Sequence, residues 1–457
     1  AGLNSVLLSC YLIFSLLFYN SFQKKDTEHL IDLVLYTSAL CSLIGLLQFC
    51  FNGFLSPFDD LPGKWRVFST FGNPLYFAAF LVGVIPLAIQ KYFQDKTWPN
   101  FALMLLPLLG LTVTFARASW LALLVTALLW IAASKKLQLK PLLSTLLVLI
   151  IMISLITAAQ PGFKKHLLNT DSIRGRYFLW QIAVTMFKEH PLTGIGLNQF
   201  RFEHLNYQNK LLAQHPELSQ KYRPFAPVEE YAHNDPLQFI AETGIAGLLF
   251  VMLILGWLIK RFQELSKKPS SGQFSLLLGL VALVINSFFF FPFYLPATLL
   301  LAMTLLTLLS YSDKKIVSLH YPLTIRVSGV GLALVLIVFS CLTLVSDILL
   351  AKGVDQLEKG LFSGSVQTLS AAEKLNPWSG ENKYFLARAH YLAGEPARAL
   401  SMLEQSKASF SNYFVYSLKA FIYNDLHNIR QVNEIKSFLE TALPGQPLTI
   451  KYGLTLE

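Results

Sequence analysis

Arg117, Arg174, Arg176 and His233 are the residues whose types and settings can do chemistry. Arg117 interrupts an otherwise continuous apolar stretch in "TFARASW". A charge inside such a stretch costs about 2.5–3.5 kcal/mol on insertion scales, so a functional role with an anionic partner is expected. The competing reading is an Arg at a helix end that snorkels to the interface. Arg174 and Arg176 stand two apart in "SIRGRYFLW", at the start of a helical pattern. Guanidinium groups bind phosphate oxygens in bidentate fashion and keep their charge, and helix N-termini favour anions. Anchoring to lipid headgroups explains this pair equally well. His233 lies in "EEYAHNDPLQF". An imidazole with a pKa near ~6.5 can take a proton from a hydroxyl while a carboxylate orients it. Asp235, Glu229, Glu230 and Glu242 are the candidate orienters. Asn234-Asp235-Pro236 also reads as a cap on the incoming helix, with Pro236 at its first position, and the two readings are compatible.

Other sets are weaker. His166, His190, His204 and His215 share the same long polar stretch and read as solvated or structural. The chain contains no HExxH, DxD, CxxC or GxSxG pattern. Asp59-Asp60 are adjacent rather than spaced and make a poor cation site. Cys10, Cys41, Cys50 and Cys341 all fall in apolar runs, as small core or lipid-facing residues rather than a disulfide set or metal site. No metal or cofactor is expected.

The elements that must position these groups are membrane helices. Of 457 residues, 54% are hydrophobic and 14% charged. Soluble domains carry roughly 25% charged residues, so the long apolar runs predict an all-α, polytopic membrane protein. About ten spans are expected, at roughly 2–20, 30–52, 74–91, 98–115, 118–133, 140–159, 243–260, 274–292, 295–311 and 327–349. The break at Arg117 divides the fourth from the fifth. "FFFFPFYLP" permits a tight reversal between the eighth and ninth. The chain begins at Ala1 in an apolar run, without Met and without an evident signal peptide; it reads as a fragment lacking one or more N-terminal helices.

The net charge of +10 comes from bases scattered through short loops, not from a nucleic-acid groove, and no RNP-like, zinc-finger or P-loop pattern accompanies it. Lys24/Lys25, Lys91/Lys96, Lys135/Lys136/Lys140, Lys260/Arg261/Lys267/Lys268 and Lys314/Lys315 mark one set of loops as cytoplasmic. The opposite set faces out: 53–73, the turn at Arg117, the long loop 160–242, the 292–295 turn and everything after 349. Within that loop, apolar residues near helical spacing predict an amphipathic helix at about 174–189, lying near the membrane surface. The glycines of "PLTGIGLNQF" permit a tight turn after it. The resulting units are 1–159, 160–242, 243–349 and 350–457.

Residues 350–457 lose the membrane pattern. "LNPWSGENKYFLARAHYLAGEPARALSMLEQSKASF" has the helix–turn–helix look of a tetratricopeptide repeat, with similar units before and after it. The spacing Leu375 to Phe410 to Leu443 is near the period of about 34 residues. Roughly three such repeats suffice for a stable α-solenoid.

Three stretches in order, "TFARASWLALL", "GRYFLWQIAVTMFKEHPLTGIGLNQF" and "YAHNDPLQFIAETGIAGLL", resemble the O-antigen ligase family, a superfamily that also holds O-antigen polymerases and protein O-oligosaccharyltransferases. "FSTFGNPLYFAAFLVGVIPLA" is similar to the family's upstream helix, and the likeness covers about 66–260. It implies a donor glycan on polyprenyl pyrophosphate at the outer leaflet of the bacterial inner membrane, with the large loop periplasmic. It also implies arginines that hold the pyrophosphate, a loop histidine that activates an acceptor hydroxyl, and no metal. The matching positions are Arg117, Arg176 in a Gly-Arg-x-x-x-Trp pattern ending at Trp180, and His233, with Arg174 as a further member. Ala116 stands where the family commonly has Ser.

The acceptor implied is lipid A–core, a protein or a growing chain, and the repeat domain is expected to bind an acceptor or a protein partner. The aromatics (18 Tyr, 36 Phe and 7 Trp) read mostly as lipid-facing bulk, with Trp180 and Tyr231 able to stack on sugar. A polymerase is the nearest alternative. A transporter predicts interrupted helices in two matching halves, and no such duplication is seen. A scaffold built on the repeats leaves Arg117, Arg176 and His233 without a joint explanation.

Overall fold

The computed structural model describes residues 24–51, 66–133, 170–215, 217–218, 222, 229–269, 271–311, 323–406, 413–443, 448–450 and 454–456. The expected spans at 2–20 and 140–159, and Asp59-Asp60, lie outside the described residues. In chain order the helices are α1 (Lys24–Cys50), α2 (Pro74–Gln94), α3 (Trp98–Val113), α4 (Arg117–Ala133), α5 (Asp171–Glu189), α6 (Phe200–Gln214), α7 (Asp235–Thr243), α8 (Ile245–Leu265), α9 (Gly272–Ser287), α10 (Pro296–Tyr311), α11 (Leu323–Glu358), α12 (Phe362–Leu375), α13 (Gly380–Leu392), α14 (Pro396–Ser406), α15 (Tyr413–Asp425) and α16 (Ile429–Ala442). A small antiparallel hairpin, β1 (Leu448–Ile450) with β2 (Leu454–Leu456), departs from the all-helical expectation.

Apolar helices build a bundle. Thr27–Cys50, Pro74–Gln94 and Ile245–Leu265 are long and apolar enough to cross a membrane, and Trp98–Val113, Arg117–Ala133, Gly272–Ser287 and Pro296–Ser310 are shorter apolar helices. α2 is central, packing on α1, α3, α4, α9 and α10. Small residues let backbones approach where no hydrophobic force drives helices together: a Cβ on Gly279 of α9 would lie 2.4 Å from Gly83 O of α2. Asn286 Nδ2 donates to Ser119 Oγ at 2.8 Å, a buried polar tie between α9 and α4. Leu249, Phe250, Met252 and Leu253 of α8 point outward, as an apolar helix facing lipid does.

The breaks form as their sequences predict. α3 ends at Val113, Phe115 takes a positive φ of 56°, and α4 starts at Arg117. α9 ends at Ser287, and a 3-10 turn, Pro292–Tyr294, leads into α10, with Thr298 Oγ1 donating to the Pro292 carbonyl.

The long loop folds differently from a helix lying on lipid. α5 turns Phe178, Ile182 and Met186 into a protein cluster with Phe200, Leu211, Leu212 and Ala241 of α6 and α7. Helical periodicity marks an apolar face but not what covers it. The expected membrane helix at 243–260 forms as α8, Ile245–Leu265, but the segment before it does not join it. α7 is a short helix of its own, capped by Asn234, whose side chain accepts from Leu237 N at 2.9 Å. Gly244 (φ 67°) then breaks the path before α8.

From α11 onward each helix packs on the next, and the alternate helices α11, α13 and α15 also touch. This stack closes on the loop: Leu205 of α6 joins Tyr413, Ile435 and Leu439 in one cluster. Gln208 Nε2 donates to Ala442 O at 2.6 Å and Asn209 Nδ2 to Phe438 O at 2.7 Å.

Candidate active site

One arginine is fixed at the corner between α3 and α4. Thr114 Oγ1 donates back to Leu111 O at 2.7 Å, and Trp120 Nε1 donates to the same carbonyl at 3.1 Å, closing the corner ahead of Arg117. Arg117 Nη2 reaches across to α5 and donates to Ser172 Oγ at 2.7 Å. Arg176 lies one turn beyond Ser172, on the same face of α5. Arg174 is exposed; two residues are about 200° of helix, so it projects from the other side of α5.

A third guanidinium joins them. Arg66 Nε donates to Thr114 O at 3.1 Å. Its pKa is pushed down to about 10, by burial first and then by the charges of Arg117 and Arg176. Arg176 is lowered as well, by burial and then by Arg117, while Glu229 pulls it back up. Sequence reasoning did not single out Arg66. The available signal was a base in a loop of the outer-facing set, against the trend that places bases on the other side.

Glu229 links this cluster to His233, with its Oε2 3.6 Å from His233 Nε2. The imidazole is 15% exposed, and it packs edge-on to Phe291 at 5.1 Å. Tyr231 also stacks on Phe291, at 4.2 Å, and burial with Glu230 pushes its phenol up to about 12. His233 takes a φ of 52°, an uncommon conformation for a non-glycine residue that tends to cluster at functional sites. Its Nδ1 is buried with no hydrogen-bond partner among the described residues.

Asp235 goes elsewhere. Its Oδ2 accepts from Phe293 N at 2.9 Å, tying α7 to the corner that carries Phe290 and Phe291. Burial raises its pKa well above the ordinary carboxylate range, the Phe293 N–H opposes this, and Glu242 adds to it. The carboxylate beside His233 is thus Glu229, one of the four candidates, while Asp235 braces the aromatic wall.

Glu242 is a buried hub. It accepts from Asn198 N (2.7 Å), Phe200 N (3.3 Å), Gln238 Nε2 (3.0 Å) and Tyr294 OH (3.1 Å). Four donors offset part of the burial cost that raises its pKa. Through it the "PLTGIGLNQF" turn, α6, α7 and the 292–294 turn hold one geometry. Gln238 Oε1 also accepts from Ala232 N at 2.9 Å, next to His233.

The assembled site offers clustered guanidiniums for an anion, a carboxylate–imidazole pair beside them, and aromatic walls. A groove of about 210 Å³ is lined by Phe71, Tyr76 and Leu295 to Thr298, and Tyr76 packs on Phe290 and Phe291. A comparison with curated proteins finds no match. Residues 102–252, which hold Arg117, Arg174, Arg176, Glu229 and His233, match the O-antigen ligase family.

Proposed function

We propose that this chain transfers a glycan from polyprenyl pyrophosphate to an acceptor hydroxyl at the outer face of the bacterial inner membrane. The observation that carries the reading is the His233–Glu229 pair set against Arg176 and Arg117 inside the matched segment. His233 takes the acceptor's proton, with Glu229 stabilising the imidazolium that forms. The acceptor oxygen bonds to the anomeric carbon as the bond from that carbon to the pyrophosphate oxygen breaks. The leaving pyrophosphate keeps the electron pair, and fixed guanidiniums stabilise its growing charge without reorganising. Attack from the opposite face inverts the anomeric carbon, and no step calls on a metal. Arg174 serves the approach of the anion rather than its final seat. Asp235 positions the wall behind His233. The C-terminal stack, read as tetratricopeptide-like over 350–457, recruits the acceptor, lipid A–core or protein, or an assembly partner.

The test uses the purified full chain with a polyprenyl-pyrophosphate glycan and candidate acceptors. His233→Ala and Arg176→Ala are each expected to cut transfer by about 10²–10⁴-fold. Asp235→Asn keeps an acceptor for Phe293 N and is expected to retain most of it. Transfer that survives both His233→Ala and Arg176→Ala would sink the mechanism, and movement of donor across the bilayer without transfer would favour a transporter. A ladder built from donor glycan alone would identify a polymerase using the same parts.

A further inference from the structure

Arg66 lies outside the matched segment 102–252, yet the residues that follow it are tied to neighbouring helices. Ser69, at φ 53°, exchanges two hydrogen bonds with the side chain of Gln48: Gln48 Nε2 donates to Ser69 O (3.0 Å) and Ser69 N to Gln48 Oε1 (2.8 Å). Ser69 Oγ donates to Cys41 O at 2.6 Å. Val67 N donates to Val113 O at 3.3 Å, and the Val67 side chain seats against Gly45, where a Cβ would come within 3.0 Å of it. The segment is therefore pinned to α1 and to the α3–α4 corner.

From that base the Arg66 guanidinium is aimed by Thr114 O, three residues before Arg117. Arg117 in turn holds Ser172, one turn before Arg176. This chain of contacts gathers three permanent cations; after burial, Arg117 and Arg176 lower Arg66 and Arg117 lowers Arg176, which agrees with it. Glu229 supplies one negative charge nearby and is also engaged with His233. Two arginines suit a singly bridging phosphate. Three suit a ligand with two phosphoryl groups, each open to bidentate contact.

We propose that Arg66 is the third guanidinium of the anion site and that it lets the site select a diphosphate-linked over a monophosphate-linked lipid donor. The inference rests on the glycan-transfer reading for the identity of the donor, but not for the anion site itself. It is tested on the full chain in detergent with farnesyl diphosphate and farnesyl phosphate as binding probes, and with the transfer assay beside them. Wild type is expected to prefer the diphosphate. Arg66→Gln is expected to weaken diphosphate binding by about tenfold or more and monophosphate binding far less.

Arg66→Lys keeps the charge and the aliphatic stem, so it covers the case in which Arg66→Gln unfolds. It is expected to hold the wild-type Tm and to raise the KM for donor several-fold with kcat little changed. Unaltered preference and unaltered KM in a folded Arg66→Lys or Arg66→Gln protein overturn the proposal. Diphosphate binding that depends on Arg66 without any transfer sinks the transferase reading and leaves the anion site standing. A wild type that binds no diphosphate overturns both.

Discussion

His204 is fully enclosed on α6, its ring stacked on Phe200 at 6.2 Å, with Nδ1 3.3 Å from Arg201 O. Burial pushes its pKa down to about 4, opposed weakly by the Arg201 carbonyl and by Glu229. The neutral ring is the form the fold accepts. Stability from this group is therefore complete above its unfolded pKa near ~6.5 and is lost as pH falls through about 4, up to about 3 kcal/mol at the acid end. Asp235 and Glu242 act with the opposite sign: their pKa values are raised by burial, so the fold loses stability as pH rises from their unfolded values through their folded ones. Only a paired comparison isolates His204. His204→Phe keeps the stack and removes the titration, so the fall in Tm between pH 6.5 and 4 is expected to flatten in the variant. An acid limb as steep as wild type would show that other groups carry it. In sequence His204 is one of several loop histidines, and nothing in its neighbours marks it as a core residue. His233 is legible because a helix cap adjoins it, but its partner is not, since four carboxylates lie within reach of it along the chain.

At the scale of elements, the site depends on one backbone crossing. The turn after α5 runs against the junction of α7 and α8: Ile195 N donates to Ala241 O, Gly196 N to Glu242 O and Ile245 N to Pro191 O. Gly194 sits there at φ 66°, where a Cβ would be 2.3 Å from Glu242 C and O. Gly244 sits at φ 67°, where a Cβ would be 2.5 Å from Leu192 O. Gly194→Ala meets both a strained conformation and a backbone clash, so a loss of more than about 2 kcal/mol is expected, read as a drop in Tm and in transfer. Gly256 in α8 has open space around it, and Gly256→Ala is expected to leave both readings unchanged. Equal behaviour of the two variants would show that the crossing is not held as described. The apolar runs and their two corners can be read from sequence because length, Pro and a lone Arg report local physics. The crossing cannot, because Gly194 and Gly244 are fifty residues apart and a glycine does not name its partner. The apolar face of α5 misleads for a related reason: lipid and protein cover such a stripe with the same side chains.

At the scale of the whole molecule, the C-terminal stack is part of the loop's support. α6 packs on α5, which carries Arg176, and on α7, which follows His233. Its outer face is spent on α15 and α16: Gln208 and Asn209 donate to the last carbonyls of α16, and Tyr416 OH donates to Asn206 Oδ1 at 2.9 Å. If the stack only recruited a partner, cutting it away would leave the site intact. The contacts argue otherwise. Two side-chain bonds and the shared cluster around Leu205 are worth a few times about 1 kcal/mol, enough to change how often α6 opens. Gln208→Ala with Asn209→Ala leaves both units whole and removes the two bonds. Amide exchange across 205–212 is expected to rise by about tenfold or more, with a smaller loss of transfer at unchanged donor KM. Truncation after Lys359 is expected to raise exchange further and to spread it into α5 and α7. Exchange in α6 that matches wild type in both proteins would make the stack a recruiting module alone, since a brace that can be removed without loosening what it touches is not one.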